Sequence, residues 1–260
     1  MDAIKFFTRV VIIVLSIMFL LTIGNFAFSF ENAFKFPDKI QNVIDDTYMI
    51  KTNIYYSYME TEGTEEMKAV ALYLGDGYFL ALTHCTEHVG YIEFKYGYAS
   101  MYQVIDIDKY EFFINDEQVQ LVGRYDDISL FKSNLTHESS IKFGNSDLLK
   151  VGDKTITIGN SLMFGINVKE GMVSNLGYNY DVSLDTSDSS FNPRISFLIS
   201  DPINKGDSGS ALLAEKDNQY YLVGINHGYI IYGENMGCAF RSNYVKAVLK
   251  IITQDINFLE

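Results

Sequence analysis

The sequence Asp201-Pro-Ile-Asn-Lys-Gly-Asp-Ser-Gly-Ser-Ala-Leu-Leu213 joins a Gly-Asp-Ser-Gly core to an apolar segment that is typical of a buried strand. A serine in a glycine-rich loop, beside free backbone N–H groups, has the surroundings of an exposed nucleophile. The same composition is also typical of an ordinary turn before a strand. The motif alone therefore leaves both interpretations of Ser208 open.

Length and composition indicate an ordinary globular protein. The chain has 260 residues, of which 48% are hydrophobic and 20% are charged, so we expect one large domain or two small ones. The formal net charge of −13 argues against a nucleic-acid partner, because proteins that bind the phosphate backbone carry a basic surface. The motifs predict no cofactor and no metal ion.

The first 30 residues predict export. Lys5 and Arg9 precede an uncharged run at residues 10–30, and acidic residues follow it. This charge distribution keeps the amino end in the cytoplasm and puts the rest of the chain outside. The run predicts either a cleaved signal peptide, which gives a secreted or periplasmic domain, or a permanent single-pass membrane anchor. We expect residues 31–48 to form a linker or a short helix.

From residue 49 onward, short β-rich runs between turn residues predict an all-β sandwich or barrel. The Asp76-Gly77 pair between two apolar runs is the strongest hairpin signal. Only the carboxyl-terminal segment has helical periodicity, with Ser242 and Asn243 as N-cap candidates. The main predicted strands are residues 49–56, 69–74, 78–82, 118–122, 155–158, 168–173, 195–200, 211–213, 220–226 and 237–240.

A serine nucleophile needs a nearby histidine to accept its proton. The chain has four histidines. His84 ends an apolar strand and therefore stands at a rigid edge, where catalytic groups are held best. His227 follows another strand and is the main competitor. His88 and His137 lie in polar segments that are typical of the surface.

The histidine in turn needs an acid that fixes its tautomer. Asp126 and Asp127 stand directly before the alternating strand that ends at Lys132. Asp127 adjoins the strand and is the better fixed of the two. A carboxylate pair in a turn is also common where no catalysis occurs.

Taken together, these motifs resemble the trypsin-like serine proteases, most closely their high-temperature-requirement (HtrA or Deg) branch. Gly77-Tyr-Phe-Leu-Ala-Leu-Thr-His-Cys85 resembles the family's Gly-Tyr-Ile-Leu-Thr-Asn-Asn-His-Val. Asp127-Ile-Ser-Leu-Phe-Lys132 resembles Asp-Leu-Ala-Leu-Leu-Lys, and Ile203-Asn-Lys-Gly-Asp-Ser-Gly209 resembles Ile-Asn-Pro-Gly-Asn-Ser-Gly. Residues 158–177 are similar to the family's Ile-Gly-Asn-Pro-Phe-Gly followed by Val-x-x-Gly-Ile-Val-Ser-x-Leu-Gly.

The resemblance implies the trypsin-like fold of two six-stranded antiparallel β-barrels, here with an amino-terminal hydrophobic helix and a short carboxyl-terminal helix. Residues 49–140 would form the first barrel, and residues 141–260 the second barrel with the helix. The order His84, Asp127, Ser208 is the chymotrypsin order. The resemblance selects these three residues as the catalytic triad of a serine endopeptidase that forms an acyl-enzyme.

The resemblance also implies an oxyanion hole and a substrate pocket. The backbone N–H groups of Gly206 and Ser208 would form the hole. The pocket candidates are Pro202, Ile203, Asn226 and His227. Polypeptides are the expected substrates, with a small or medium apolar P1 residue, while a glutamyl preference is the competing interpretation because glutamyl endopeptidases carry a histidine on this strand.

Several alternatives stay open. The domain is expected to cleave its substrates, but it would instead bind peptides or a partner if it were catalytically silent. A sensor loop at residues 183–193 would make it ligand-activated. Cys85 and Cys238 are expected to be free thiols in different barrels. No PDZ domain is expected after the last helix, and a homo-oligomer is possible by analogy with family trimers.

Overall fold

The computed structural model describes residues 38–58, 61–87, 90–96, 99–177, 192, 194–230, 236–255 and 257–259. Asn42–Glu260 form one compact unit, and Met1–Gln41 form another that is described only at residues 38–41. The predicted export segment at residues 1–30 lies outside the described residues, as does nearly all of the loop at residues 183–193. Within the described ranges, no helix is long and apolar enough to cross a membrane.

The first half of the chain forms a closed antiparallel barrel. Its elements are α1 (Asp38–Asp45), β1 (Thr47–Tyr58), β2 (Thr61–Gly75), β3 (Tyr78–Leu82), α2 (Thr83–Thr86), β4 (Tyr91–Tyr96), β5 (Ala99–Val104), β6 (Asp106–Ile114), β7 (Glu117–Tyr125) and β8 (Ile128–Lys132). The barrel order is β1, β2, β3, β8, β7, β6, and β6 pairs back onto β1. Strands β4 and β5 form a separate hairpin.

The second half forms another closed antiparallel barrel, followed by a helix. Its elements are 3₁₀ turns at Ser146–Leu148 and Ser161–Met163, β9 (Lys154–Gly159), β10 (Asn167–Asn175), β11 (Ser196–Ile199), β12 (Ala211–Lys216), β13 (Gln219–Tyr229), β14 (Gly237–Arg241) and α3 (Ser242–Thr253). The barrel order is β10, β11, β14, β13, β12, β9. Helix α3 packs on β7 and β8 as well as on β13 and β14, and so bridges the two barrels.

Each barrel has its own apolar core. The first core is rich in aromatic residues and consists of Ile50, Ala69, Ala71, Tyr73, Phe79, Ala81, Phe112, Ile114, Val119 and Phe131. The second consists of Leu149, Val173, Phe197, Ile199, Leu212, Val223 and Ala239. Burying one large apolar side chain is worth about 1.5–3 kcal/mol, so these interiors supply the main stabilising term.

The two six-stranded barrels confirm the predicted all-β fold. Every strand listed from the sequence overlaps an observed one, whereas β4, β5 and β6 were not predicted. The N-cap prediction for α3 is wrong, because Arg241 occupies that position without a side-chain cap. The hydroxyl of Ser242 instead donates to the carbonyl oxygen of Gly144, in the segment before β9, at 2.8 Å. Cys85 and Cys238 are both free, as predicted.

The predicted hairpin turn joins β2 to β3. Asp76 and Gly77 have φ values of 49° and 77°, so two successive residues adopt the left-handed conformation that tight hairpins require. A Cβ atom at Gly77 would overlap the carbonyl oxygen of Ser133, so the backbone after β8 would have to move to make room for it. Glycine is therefore needed here both for its φ and for its missing side chain.

We expect Gly77→Ala to destabilise the protein more than Gly152→Ala does. Gly152 also has a positive φ, of 93°, but a Cβ there would meet no atom within 4 Å. The Gly152 variant should therefore lose about 1–2 kcal/mol from backbone strain alone. The Gly77 variant should lose about 1–3 kcal/mol more from overlap with the backbone. Free energies of unfolding in urea measure both, and equal losses would contradict the steric argument.

Candidate active site

The pairing of β3 with β8 brings His84 close to Asp127. Leu82 at the end of β3 stands opposite Ile128 at the start of β8, so the residues just beyond these ends are neighbours. The backbone N–H of Thr83 donates to the carbonyl oxygen of Asp127 at 3.0 Å. The position of the pair therefore follows from the register of one ladder.

The carboxylate of Asp127 holds His84 at two points. One oxygen, Oδ1, accepts from the backbone N–H of His84 at 2.9 Å, and Oδ2 lies 2.7 Å from ring atom Nδ1. Because an ionised carboxylate only accepts, Nδ1 carries a proton, and Nε2 is the acceptor when the ring is neutral. The His84 side chain is 44% exposed, so an incoming group has access to the imidazole.

The surroundings of His84 change its basicity. Burial by itself lowers the pKa of the imidazole, but the hydrogen bond to Asp127, together with electrostatic interactions with Cys85 and Asp127, outweighs burial and raises the pKa above its ordinary value. Cys85 packs against the core of the first barrel. The imidazole therefore keeps a proton to higher pH than a free histidine, and acts as a base only above that range.

The competing histidine, His227, is buried inside the second half of the molecule. Its Nε2 atom lies 3.0 Å from the hydroxyl oxygen of Ser196, and its ring stacks on Phe240 with centroids 3.9 Å apart. Burial lowers the pKa of His227 to about 4, although the charge of Asp127 opposes this effect. The ring is therefore neutral near pH 7 and faces the interior.

The other two histidines provide no alternative partner for the predicted acid among the described residues. His137 has Nε2 3.1 Å from Oδ1 of Asp46, and its ring packs on Tyr73 in the first barrel. His88 lies outside the described residues. Of the three described histidines, His84 is the one whose ring is hydrogen-bonded to a predicted acid.

Two glycines with positive φ flank Ser208 in the segment of residues 201–210, here called the nucleophile loop after the predicted role of Ser208. Gly206 has a φ of 92° and Gly209 has a φ of 89°. The N–H of Gly209 donates to the carbonyl oxygen of Asn226 at 2.8 Å, and a Cβ at Gly209 would lie 2.8 Å from the carbonyl oxygen of Val70 in β2. The loop of the second barrel thus lies directly against the first barrel.

The backbone N–H groups of Gly206 and Ser208 have no acceptor among the described residues. The Ser208 hydroxyl lies 3.5 Å from the carbonyl oxygen of His227, and no hydrogen bond joins it to His84 in the described part of the chain. The loop therefore presents free N–H donors beside a serine whose hydroxyl is only weakly held.

The pocket candidates lie in different surroundings. Pro202 is exposed, whereas Ile203 packs against the core of the second barrel. Asn226 is buried, and its side-chain N–H donates to the hydroxyl of Thr157 at 3.0 Å inside that barrel. Its side-chain oxygen has no partner among the described residues. The backbone of Asn226, rather than its amide group, contacts the nucleophile loop.

The sequence did not predict a contact at Asp126, the residue beside the proposed acid Asp127. The phenol of Tyr244, on α3, donates to Oδ2 of Asp126. Burial, followed by this hydrogen bond, raises the pKa of Tyr244. No local signal relates Tyr244 to a turn 118 residues earlier in the chain.

Several serine proteases have sequences related to this chain, although no protein-family model matches it. A probable periplasmic serine protease of the do/HhoA-like type from Haemophilus influenzae is 35% identical over 147 residues, covering 51% of this chain and 29% of that protein. The periplasmic serine endoprotease DegP of Escherichia coli is 35% identical over 130 residues, covering 46% and 24%. The chain thus spans less than a third of the length of these relatives.

Solved structures show the same fold at lower identity. The HtrA-type protease AlgW, solved with a decapeptide, has a TM-score of 0.59 at 19% identity, covering 84% of this chain and 67% of that one. A serine endoprotease from Yersinia pestis has a TM-score of 0.52 at 18% identity, covering 85% and 69%. The chain is thus similar in sequence to HtrA- and DegP-type serine proteases, and its two six-stranded barrels form the fold of the HtrA-type protease structures.

Proposed function

We propose that this protein is a serine endopeptidase that cleaves peptide bonds through an acyl-enzyme on Ser208. The observation that carries the proposal is the contact of His84 Nδ1 with Asp127 Oδ2 at 2.7 Å, which leaves Nε2 free to accept a proton. The loop of Ser208, with its free N–H groups, lies against the same barrel that holds this pair.

The reaction uses the three side chains in sequence. As the Ser208 hydroxyl oxygen bonds to the peptide carbonyl carbon, its proton passes to Nε2 of His84. Asp127 stabilises the imidazolium through Nδ1. His84 then gives the proton to the departing amine, and a water molecule hydrolyses the acyl-enzyme by the same route.

The N–H groups of Gly206 and Ser208 are the donors to the negative charge that develops on the carbonyl oxygen. A pair of preorganised donors of this kind contributes strongly, since removing one typically costs about 10²–10³-fold in kcat. Support comes from the loop itself, where both groups lack an acceptor among the described residues.

Polypeptides are the proposed substrates, in keeping with the peptide in the related AlgW structure. His227 offers no positive charge to an acidic P1 side chain near pH 7, because burial lowers its pKa to about 4 and its Nε2 atom lies 3.0 Å from the hydroxyl oxygen of Ser196. A small or medium apolar P1 residue, contacting the region of Pro202 and Ile203, remains our expectation. Sequencing the products of a peptide library cut by the enzyme tests it, and dominance of Glu at P1 would overturn it.

We also propose that the domain acts outside the cytoplasm, because the matched relatives are named as periplasmic proteins. Residues 10–30 would either be cleaved or hold the domain at the membrane. Immunoblots of membrane and soluble fractions, with the apparent mass of the mature chain, distinguish these two outcomes. Recovery of the intact chain from the cytoplasm would contradict export.

A second candidate is a ligand-activated or catalytically silent peptide-binding domain. The observation in its favour is that the Ser208 hydroxyl lies 3.5 Å from the carbonyl of His227 and is not hydrogen-bonded to His84. A bound peptide would then have to reorient the serine. This candidate predicts that a fluorophosphonate probe labels the protein only after peptide is added, or does not label it at all.

We expect a fluorophosphonate probe to label the wild-type protein and to leave Ser208→Ala unlabelled, because the hydroxyl oxygen is the atom that is phosphonylated. Ser174→Ala is the matched control, since Ser174 is exposed on β10, and it should label like the wild type. In-gel fluorescence measures the result with and without added peptide. Labelling of Ser208→Ala would refute the nucleophile, and a wild type that stays unlabelled under both conditions would refute the endopeptidase.

We expect Cys85→Ala to shift the acid limb of the pH profile of kcat/KM to lower pH. Cys85 raises the pKa of His84, so its removal should let the imidazole lose its proton, and act as a base, at lower pH. Cys238→Ala is the control, because burial raises the pKa of Cys238 to about 12 and this thiol lies in the second barrel. Identical acid limbs in the Cys85 variant and the wild type would contradict the effect.

A further inference from the structure

A buried carboxylate stands immediately before the proposed nucleophile. The Asp207 side chain is 0% exposed. Its oxygens accept hydrogen bonds from the hydroxyl of Ser161 at 2.8 Å, from the backbone N–H of Asn204 at 2.8 Å and from Nζ of Lys169 at 2.5 Å. The Asn204 donor belongs to the loop of Ser208, and the other two donors come from the segment between β9 and β10 and from β10.

The cation of this pair, Lys169, is also largely enclosed, with a side chain that is 14% exposed. It extends from β10, and its three ammonium protons have three acceptors within reach. These are Asp207 at 2.5 Å, the hydroxyl of Ser161 at 2.9 Å and the carbonyl oxygen of Pro202 at 3.0 Å. One ammonium group thus holds both the beginning and the end of the segment from Pro202 to Asp207.

The same segment contains the proposed oxyanion donor. The carbonyl oxygen of Lys205 accepts from the N–H of Leu162 at 2.7 Å, and Gly206 lies so close to the carbonyl oxygen of Asn160 that a Cβ would overlap it. The turn after β9 therefore packs directly under the peptide whose N–H would bind the oxyanion. Any shift of Asp207 moves this peptide and Ser208 together.

Stability alone gives a weak reason for such a pair. Desolvating two charges offsets most of their attraction, so a buried ion pair is often no more stabilising than apolar side chains of similar volume. Charge-assisted hydrogen bonds are, however, short and directional, and they fix the position of the groups that they join. Position matters most beside a nucleophile, where a misplacement of about 1 Å can cost on the order of 10²-fold in rate.

We propose that Lys169 is a positioning residue for the reaction. Through its ion pair with Asp207, it holds the N–H groups of Gly206 and Ser208 in the arrangement that binds the oxyanion. This role rests on the proposed endopeptidase activity, since it concerns the rate of that reaction. It adds a residue of β10, distant in sequence from the triad, to the set on which catalysis depends.

The test compares full-chain variants on fluorescent casein, with kcat expressed per site that a fluorophosphonate titrates. Lys169→Met keeps the length of the side chain and removes its charge. We expect kcat to fall by about 10²–10³-fold, as for the loss of an oxyanion donor, with KM within about threefold of the wild type. Lys169→Arg keeps the charge and should retain kcat within about tenfold of the wild type.

Two further variants separate positioning from folding. Lys154→Met, on the neighbouring strand β9, removes an exposed lysine and should leave kcat unchanged. If Lys169→Met does not fold because Asp207 is left unpaired, the double variant Lys169→Met/Asp207→Asn has no unpaired charge. We expect it to fold with a thermal midpoint near that of the wild type, yet to remain on the order of tenfold or more below wild-type kcat, because the charge-assisted bonds are gone.

The outcomes are distinct for this inference and for the function on which it rests. A folded Lys169→Met or double variant with wild-type kcat per titrated site would overturn the positioning role while leaving the endopeptidase intact. Loss of thermal stability with unchanged kcat would overturn it as well. A wild type that neither cleaves casein nor reacts with the fluorophosphonate would overturn both.

Discussion

The antiparallel register between β3 and β8 is the constraint on which the site in the first barrel depends. Leu82 at the end of β3 stands opposite Ile128 at the start of β8. His84 does not end the strand as predicted but lies in the one-turn helix α2 just after it, and Asp127 lies just before β8, so the two side chains meet. A slip of one residue would move Phe131 out of the core of the first barrel. The burial that stabilises the barrel therefore also fixes the distance between imidazole and carboxylate.

The second barrel contributes a loop, and no strand register fixes the position of a loop. Close contacts of the backbone at two glycines position it instead. Gly206 lies against Asn160 within the same barrel, and Gly209 lies against Val70 of the other barrel. The second contact links the position of Ser208 to β2, which pairs directly with β3. Each barrel thus positions its own part of the site, and their packing joins the parts.

The sequence predicted the parts of the fold that depend on local signals. The Asp76-Gly77 turn, the strand that ends at Leu82 and the order of His84, Asp127 and Ser208 follow from turn chemistry, apolar runs and family motifs. Strand β6 (Asp106–Ile114) was not predicted, because its largely exposed first half carries charged residues and the apolar signal is confined to its end. The inward position of His227 was also unpredictable, because it depends on packing against Phe240 from another strand.

Two buried carboxylates, Asp201 and Asp207, lie in the nucleophile loop. Their hydrogen-bond partners explain why the motif predicted the position of this loop but not its conformation. Asp201 accepts from the hydroxyls of Thr155 and Thr157 on β9 at 2.7 and 2.8 Å, and burial raises its pKa. Asp207 instead has the ammonium of Lys169. Asp201 thus has neutral side-chain donors, and Asp207 has a cation in addition to neutral donors, while Pro202 between them is exposed. The ammonium and the hydroxyl donors all lie outside the motif, so the motif identifies the loop and the barrel around it contributes to its shape.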